Sequence, residues 1–159
     1  MEVSKEEAVK CYERAVAMNN FFSMYNLANI FTEVSGAHRN PQKAIELYLK
    51  ASEMGHTASL INLGFLYKMD EELKNIQKAI YYFQKAADRD PYAYSVLGGM
   101  HEEGVDLEKD EVKALEYYQK ACEQNEPVAI CQMASRYEQG RGVERDPSKA
   151  FDLYSKAAE

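Results

Sequence analysis

The stretch Asp110–Cys122, DEVKALEYYQKAC, decides the fold, because four other stretches of the chain repeat its skeleton. That skeleton is Ala114, Tyr118 and Ala121, preceded four residues before its first alanine by Asp110. It recurs at Ala8/Tyr12/Ala15, Ala44/Tyr48/Ala51, Ala79/Phe83/Ala86 and Ala150/Tyr154/Ala157, with successive first alanines 36, 35, 35 and 36 residues apart. A fixed period in this range is the signature of stacked helical repeats. Spacings of four and then three put the three residues on one face of an α-helix. The alanines let a neighbouring helix approach, and the ring fills the groove between helices.

Four residues ahead of each first alanine stands Ser4, Asn40, Asn75, Asp110 or Asp146. Each has a short side chain able to accept a hydrogen bond from the free N–H groups of a first helical turn. Pro41 and Pro147 follow at the first helical position, where a missing N–H costs nothing. Ser4 and Glu7 also form a capping-box pattern. These five helices are called B. A second kind, A, lies between them: Ser23–Glu33, Ser59–Met69, Ala93–Glu103 and Ala129–Gln139. The A helices share Leu27/Leu63/Leu97/Met133, then a small residue, Ala28/Gly64/Gly98/Ala134, then Phe31/Tyr67/His101/Tyr137. Glycine inside a helix costs about 0.8–1.0 kcal/mol relative to alanine, so Gly64 and Gly98 imply a closely packed neighbour.

Polar loops Val34–Pro41, Asp70–Ile76, Gly104–Glu111 and Gly140–Pro147 join each A to the next B, and Gly104 and Gly140 sit where a helix should end in a positive-φ conformation. Shorter turns marked by Gly55, Pro91 or Pro127 join each B to the next A, while Asn19-Asn20 end the first helix. Connections this short make neighbouring helices antiparallel. The expected order is B–(A–B)4, nine helices in one domain over 1–159: a leading B helix at 4–19, then repeats at about 22–55, 58–90, 92–125 and 128–159.

Composition excludes several classes. The 159 residues are 46% apolar with twelve tyrosines, no tryptophan and four prolines, which suits helices better than a sandwich or barrel. A formal net charge of −7 lacks the basic footprint that nucleic acid or an anionic membrane requires. No apolar run approaches the roughly 18–20 residues that span a bilayer. MEVSKEEAVK is not a secretory signal. Three cysteines suggest a reducing compartment, so a cytoplasmic or other intracellular location is expected.

The segment Ala129–Ala158 contains Met133-Ala134 and Tyr137, then Gly140-Arg141-Gly142-Val143, Asp146-Pro147, Lys149-Ala150, Tyr154 and Lys156-Ala157-Ala158. It resembles the Sel1-like repeat, a relative of the tetratricopeptide repeat with a longer A–B loop. Copy two keeps Asn62-Leu63-Gly64, Tyr67, Lys78-Ala79 and Lys85-Ala86-Ala87 but has Asp70–Asn75 in place of the Gly-x-Gly-Val loop; copy one has Ser35-Gly36-Ala37-His38 there. The resemblance implies an all-α, right-handed α/α superhelix of antiparallel helix pairs that acts as a non-catalytic protein-interaction scaffold.

Sites of chemistry are absent by pattern. His38, His56 and His101 lie in different repeats without a ligand-spaced partner, and His101 occupies the aromatic packing position. Cys122 and Cys131 are nine residues apart. In the cysteine-rich, disulfide-bonded branch of the resembled family the second cysteine falls where Ile130 stands here, so two reduced, half-buried thiols are expected. No nucleophile elbow, zinc helix or phosphate loop occurs. No enzyme activity, metal or cofactor is therefore expected. Lys43/Lys50, Lys78/Lys85, Lys113/Lys120 and Lys149/Lys156 read as a solvated edge whose stems shield the apolar face.

The resemblance makes the A helices the lining of a concave ligand face. Counted from the shared leucine, the facing positions are Tyr25, Asn26 and Asn29; Ile61, Asn62 and Phe65; Ser95, Val96 and Gly99; and Cys131, Gln132 and Ser135. Asn26 and Asn62 are placed to bond a peptide backbone. Glu33, Glu102, Glu103 and Glu138 at the A-helix ends hint at a basic segment in the partner. The alternative is a structural subunit that self-associates through terminal helices, with Phe151 and Tyr154 left partly uncovered.

Overall fold

The computed structural model describes residues 5–33 and 36–158. Ser4 with its cap, Val34 and Ser35 of the first loop, and Glu159 lie outside the described residues. Among the described residues there are nine helices: α1 Lys5–Ala17, α2 Phe21–Thr32, α3 Pro41–Glu53, α4 Thr57–Met69, α5 Ile76–Ala87, α6 Tyr92–Glu103, α7 Glu111–Glu123, α8 Pro127–Gln139 and α9 Pro147–Ala157. Odd-numbered helices are B and even-numbered ones A. The chain divides into two compact units, Met1–Tyr82 and Phe83–Glu159.

The B-helix caps form as their chemistry demands. Asn40 accepts from the Lys43 N–H at 3.1 Å, Asn75 from Lys78 at 2.9 Å, Asp110 from Lys113 at 2.9 Å and Asp146 from Lys149 at 3.0 Å. The same cap residues also close the A–B loops from the other side. The N–H of Asn40, Asn75, Asp110 and Asp146 donates to the carbonyl of Phe31, Tyr67, His101 and Tyr137, respectively, at 2.7–2.9 Å. One backbone bond thus fastens all four loops, whatever their sequence.

Two of the A helices, α2 and α8, are capped by side chains that sequence reasoning passed over. Asn20 accepts from the Ser23 N–H, and Glu126 accepts from the N–H groups of Val128 and Ala129. Asn20 therefore starts α2 two residues earlier than expected and does not simply end α1. Asn19, Gly55 and Asn125, at φ 56°, 92° and 57°, turn the chain between B and A. The N–H of Asn20, His56, Asp90 and Glu126 then donates to the carbonyl of Ala15, Ala51, Ala86 and Ala121.

These paired bonds locate the variation in period. From the residue whose N–H closes the B–A turn to the aromatic residue the distance is always eleven residues: Asn20–Phe31, His56–Tyr67, Asp90–His101 and Glu126–Tyr137. The two 35-residue intervals each lose one residue elsewhere. One loses it in the loop from Tyr67 to Asn75, the other in the turn from Ala86 to Asp90. Indels fall in connections because the helices are locked by their packing.

In the first unit α1 packs on α2, α2 on α3 and α3 on α4. Leu27, Ala28, Ala44, Tyr48, Ala51 and Leu63 form the buried seam. In the second unit α6 packs on α7, α7 on α8 and α8 on α9. There Ala114, Tyr118, Ala121, Ala129 and Met133 make one buried cluster, flanked by Leu115, Cys122, Tyr137 and Leu153. Helices α6 and α8 also touch, because the buried Ser95 hydroxyl donates to Glu126.

The loops reach the same end by different means. Gly104 and Gly140 take left-handed φ values of 64° and 72°. A Cβ on Gly104 would stand 2.6 Å from Lys109 Cβ. In copy two the corresponding Asp70 is extended, and its carboxylate accepts from the N–H groups of Glu72 and Leu73. Arg39 from the preceding loop then neutralises Asp70 at 2.8 Å.

His101 packs as its position predicts, buried and stacked on Tyr117 with centroids 5.7 Å apart. Its Nδ1 has no hydrogen-bond partner. Burial, assisted by Lys113, holds the imidazole below its ordinary value of 6.5. The unfolded chain therefore binds a proton that the folded chain resists, so stability is lost as pH falls from about 6.5 through the folded value. His101→Phe, copying Phe31, is expected to raise stability by about 1 kcal/mol through removal of the bare nitrogen. Melting temperatures at pH 8 and pH 5.5 check this, and the acid-induced drop should be smaller in the variant.

Candidate functional site

The A–B repeat places one lysine over the aromatic residue of its own hairpin. Lys43 lies over Phe31, Lys78 over Tyr67 and Lys149 over Tyr137, with Nζ 5.9, 4.9 and 4.2 Å from the ring centroids. Lys149 also donates to the Tyr137 hydroxyl. These lysines cover rings of their own chain, which gives the solvated edge a specific packing role.

In the first unit the expected face residues Asn29, Asn62 and Phe65 come together. They line a recess of about 390 Å³ with Thr32, Tyr48, Leu66, Met69 and Asp70. Asn62 Nδ2 donates to Asn29 Oδ1 at 2.8 Å, and the Tyr48 hydroxyl donates to the same oxygen. Burial raises the Tyr48 pKa, which keeps the phenol a donor. The network uses the donor half of Asn62 and the acceptor half of Asn29. The complementary halves, Asn62 Oδ1 and Asn29 Nδ2, stand outside this network, on two residues that line the recess.

The rim is hydrocarbon, and Met69 is 72% exposed. The one carboxylate in the lining, Asp70, is compensated by Arg39. A recess of neutral amides and apolar rim suits an amide-bearing ligand better than a phosphate or a cation.

The other predicted positions are not brought to that recess. Tyr25 is half-buried, edge-on to His56 with centroids 4.7 Å apart, and Asn26 is half-buried. Ile61 and Ser95 are buried. The position two before the leucine points into packing in those two helices, and in Ser95 it serves Glu126. In the second unit Val96, Gly99 and Ser135 are half-buried, whereas Cys131 and Gln132 are exposed.

Glu33, Glu102 and Glu138, read in the sequence as hints of a basic partner segment, have partners within the chain. Glu33 pairs with Lys5. Glu102 Oε1 lies 3.2 Å from Arg136 and 2.6 Å from Arg141, while its Oε2 accepts from the Tyr118 hydroxyl at 2.8 Å. The Arg136 guanidinium sits 5.2 Å over the Tyr118 ring. Glu138 accepts from Tyr154 at 3.4 Å. Sequence could not reveal these partners, which lie up to 39 residues away.

All three cysteines are free thiols; Cys131 is exposed where half-burial was expected, and burial pushes Cys122 up to about 11. Among the described residues no group of three His, Cys, Asp or Glu side chains could hold a metal ion. Among the same residues no helix is long and apolar enough to cross a membrane.

Comparison with protein families matches the Sel1 repeat at residues 1–20, 22–56, 57–91, 91–126 and 127–159. The chain belongs to the Sel1 repeat family. A Sel1 repeat protein from Oxalobacter formigenes is 30% identical, with a TM-score of 0.75 over 96% of this chain and 63% of its own. The protective antigen c5321 of uropathogenic Escherichia coli, which displays an SLR fold, is 24% identical with a TM-score of 0.77, over 99% of this chain and 33% of its own. Helicobacter pylori cysteine rich protein B is 29% identical, with a TM-score of 0.57 over 74% of this chain and 85% of its own. The chain thus spans a third of c5321 and under two thirds of the Oxalobacter protein. Comparison with curated proteins yields no match. Sel1 repeat proteins are generally non-catalytic scaffolds for protein interaction.

Proposed function

We propose that this Sel1 repeat chain is a non-catalytic scaffold and that the recess between α2 and α4 holds an extended segment of a partner protein. The observation carrying the reading is the Asn29–Tyr48–Asn62 network. It leaves one amide donor, on Asn29, and one amide acceptor, on Asn62, which suits the C=O and N–H of a single residue in an extended segment, since these two groups point the same way. Phe65, Leu66 and Met69 then offer hydrocarbon to an adjoining side chain. Rigid helices hold these groups, so little ordering accompanies binding. A basic ligand is not required, since Glu33 and Glu102 are already paired with cations of the chain.

The test uses peptides selected from a random displayed library on the immobilised chain. Fluorescence anisotropy then compares their affinity for wild type, for Asn62→Ala with Phe65→Ala, and for Met69→Lys. Both variants should bind at least tenfold more weakly. Met69 is exposed, so Met69→Lys should leave the helical circular dichroism unchanged and separates lost binding from lost fold. Equal affinity for wild type and Met69→Lys would remove the recess from consideration.

A further inference from the structure

The groove between α1 and α3 keeps open a place that other repeats fill with their own side chains. In copy two Tyr82 of α5 stacks on Tyr67, and in copy three Tyr117 of α7 stacks on His101, each with centroids 5.7 Å apart. Gln84 of α5 also donates to the Tyr117 hydroxyl at 3.2 Å. At the position of these tyrosines, three residues after the first alanine, α3 carries Leu47, which has neither ring nor hydroxyl. At the position of Gln84, five residues after the first alanine, α1 carries Glu13. The result is a recess of about 160 Å³ lined by the buried Leu27, Phe31 and Leu47 and by Glu13, Glu46 and Lys43. Its walls and floor come from consecutive helices of the first unit, α1, α2 and α3, which pack on one another.

Both carboxylates of the lining are free. Among the described residues neither Glu13 nor Glu46 takes part in a hydrogen bond or ion pair, while Lys43 lies over the Phe31 ring. The lining therefore carries one uncompensated negative charge beside hydrocarbon. No other hairpin has carboxylates at both positions: the corresponding pairs are Leu49 and Tyr81, Gln84 and Glu116, and Gln119 and Asp152. We propose that this groove docks a lysine or arginine side chain presented by a partner protein. The alkyl stem lies on Leu27, Phe31 and Leu47, and the cation donates to Glu13 and Glu46. An anionic side chain would meet two like charges there, and a purely apolar one would gain no charge-assisted bond. The recess is well below the roughly 300–1,000 Å³ of small-molecule sites, so a single side chain suits it.

The test titrates acetyl-Gly-Lys-Gly-amide into the whole chain and follows the methyl NMR signals of Leu27 and Leu47. Saturable shifts are expected, with binding at least fivefold weaker for the norleucine peptide, which keeps the stem and lacks the charge. Glu13→Gln combined with Glu46→Gln should weaken the lysine peptide by a similar factor. Both side chains are exposed, so the helical circular dichroism should not change. Leu47→Tyr combined with Glu13→Gln, which copies Tyr117 and Gln84, should fill the groove and abolish the Leu27 shifts. Met69→Lys should leave binding unchanged, which separates this groove from the recess between α2 and α4. Equal affinity for the lysine and norleucine peptides, or for wild type and the double glutamine variant, would overturn the proposal. So would sedimentation equilibrium showing a wild-type dimer that the double glutamine variant abolishes, since the cation would then come from a second copy.

Discussion

Replacing Glu102 with alanine is expected to lower the unfolding free energy by about 3–5 kcal/mol, the range for stranding one member of a buried ion pair. Glu102 is the carboxylate that compensates Arg136, whose side chain is only 2% exposed. Their 3.2 Å approach supplies charge balance without a directed hydrogen bond, and Arg136 Nε and Nη2 have no hydrogen-bond partner. Removing Glu102 would also strand the buried Tyr118 phenol and release Arg141 from its 2.6 Å contact. The m-value and midpoint of urea unfolding check the size of the effect. Adding Arg136→Met should recover most of the loss, because an apolar side chain of similar length needs no counter-charge. A double variant as unstable as Glu102→Ala alone would show that the stranded charge is not the cause.

The second large effect is expected at Gly98. A Cβ built there would stand 2.8 Å from Tyr118 Cε1 and 2.9 Å from Cδ1. Tyr118 has no room to retreat, since its hydroxyl is held by Glu102 and its ring is covered by Arg136. Gly98→Val should therefore destabilise by about 1–3 kcal/mol through overpacking. The gain in helix propensity, under about 1 kcal/mol, is too small to offset this. The neighbouring Gly99 is the contrast. Its Cβ would meet Tyr118 Oη at an ordinary 3.7 Å, so Gly99→Ala should be neutral or stabilising. A double-mutant cycle separates the causes, because Gly98→Val should cost much less in a Tyr118→Ala background. An undiminished cost there would point away from the ring. Both predictions converge on Tyr118, the residue whose recurring pattern first marks the repeat.

The small residue at position 98 was legible as a point of close approach, but the atoms of Tyr118 that it meets were not. The periodic alanines and rings identify faces, and the face of α7 that meets Gly98 follows from the repeat. The binding positions were less legible. Asn29, Asn62 and Phe65, all counted to the expected face, line one recess, with Asn62 bonded directly to Asn29. Ile61 and Ser95 do not, because neighbouring packing claims them. A count from the leucine assigns one direction to equivalent positions, whereas each helix meets a different neighbour. At the A-helix ends, Glu33, Glu102 and Glu138 have partners within the chain that a count along the helix does not show.

By itself the sequence determined what rests on short range: the helices, their caps and their period. A cap bond such as Asp110 to Lys113 spans three residues, so adjacent side chains suffice to specify it. Tertiary structure alone decided which groups are spent inside the fold and which stay available to a ligand. The contacts that settle it span 31 residues for Ser95 and Glu126, 33 for Asn29 and Asn62, and 39 for Glu102 and Arg141. Such partners are chosen by how neighbouring hairpins pack, and no local pattern in the chain encodes that choice.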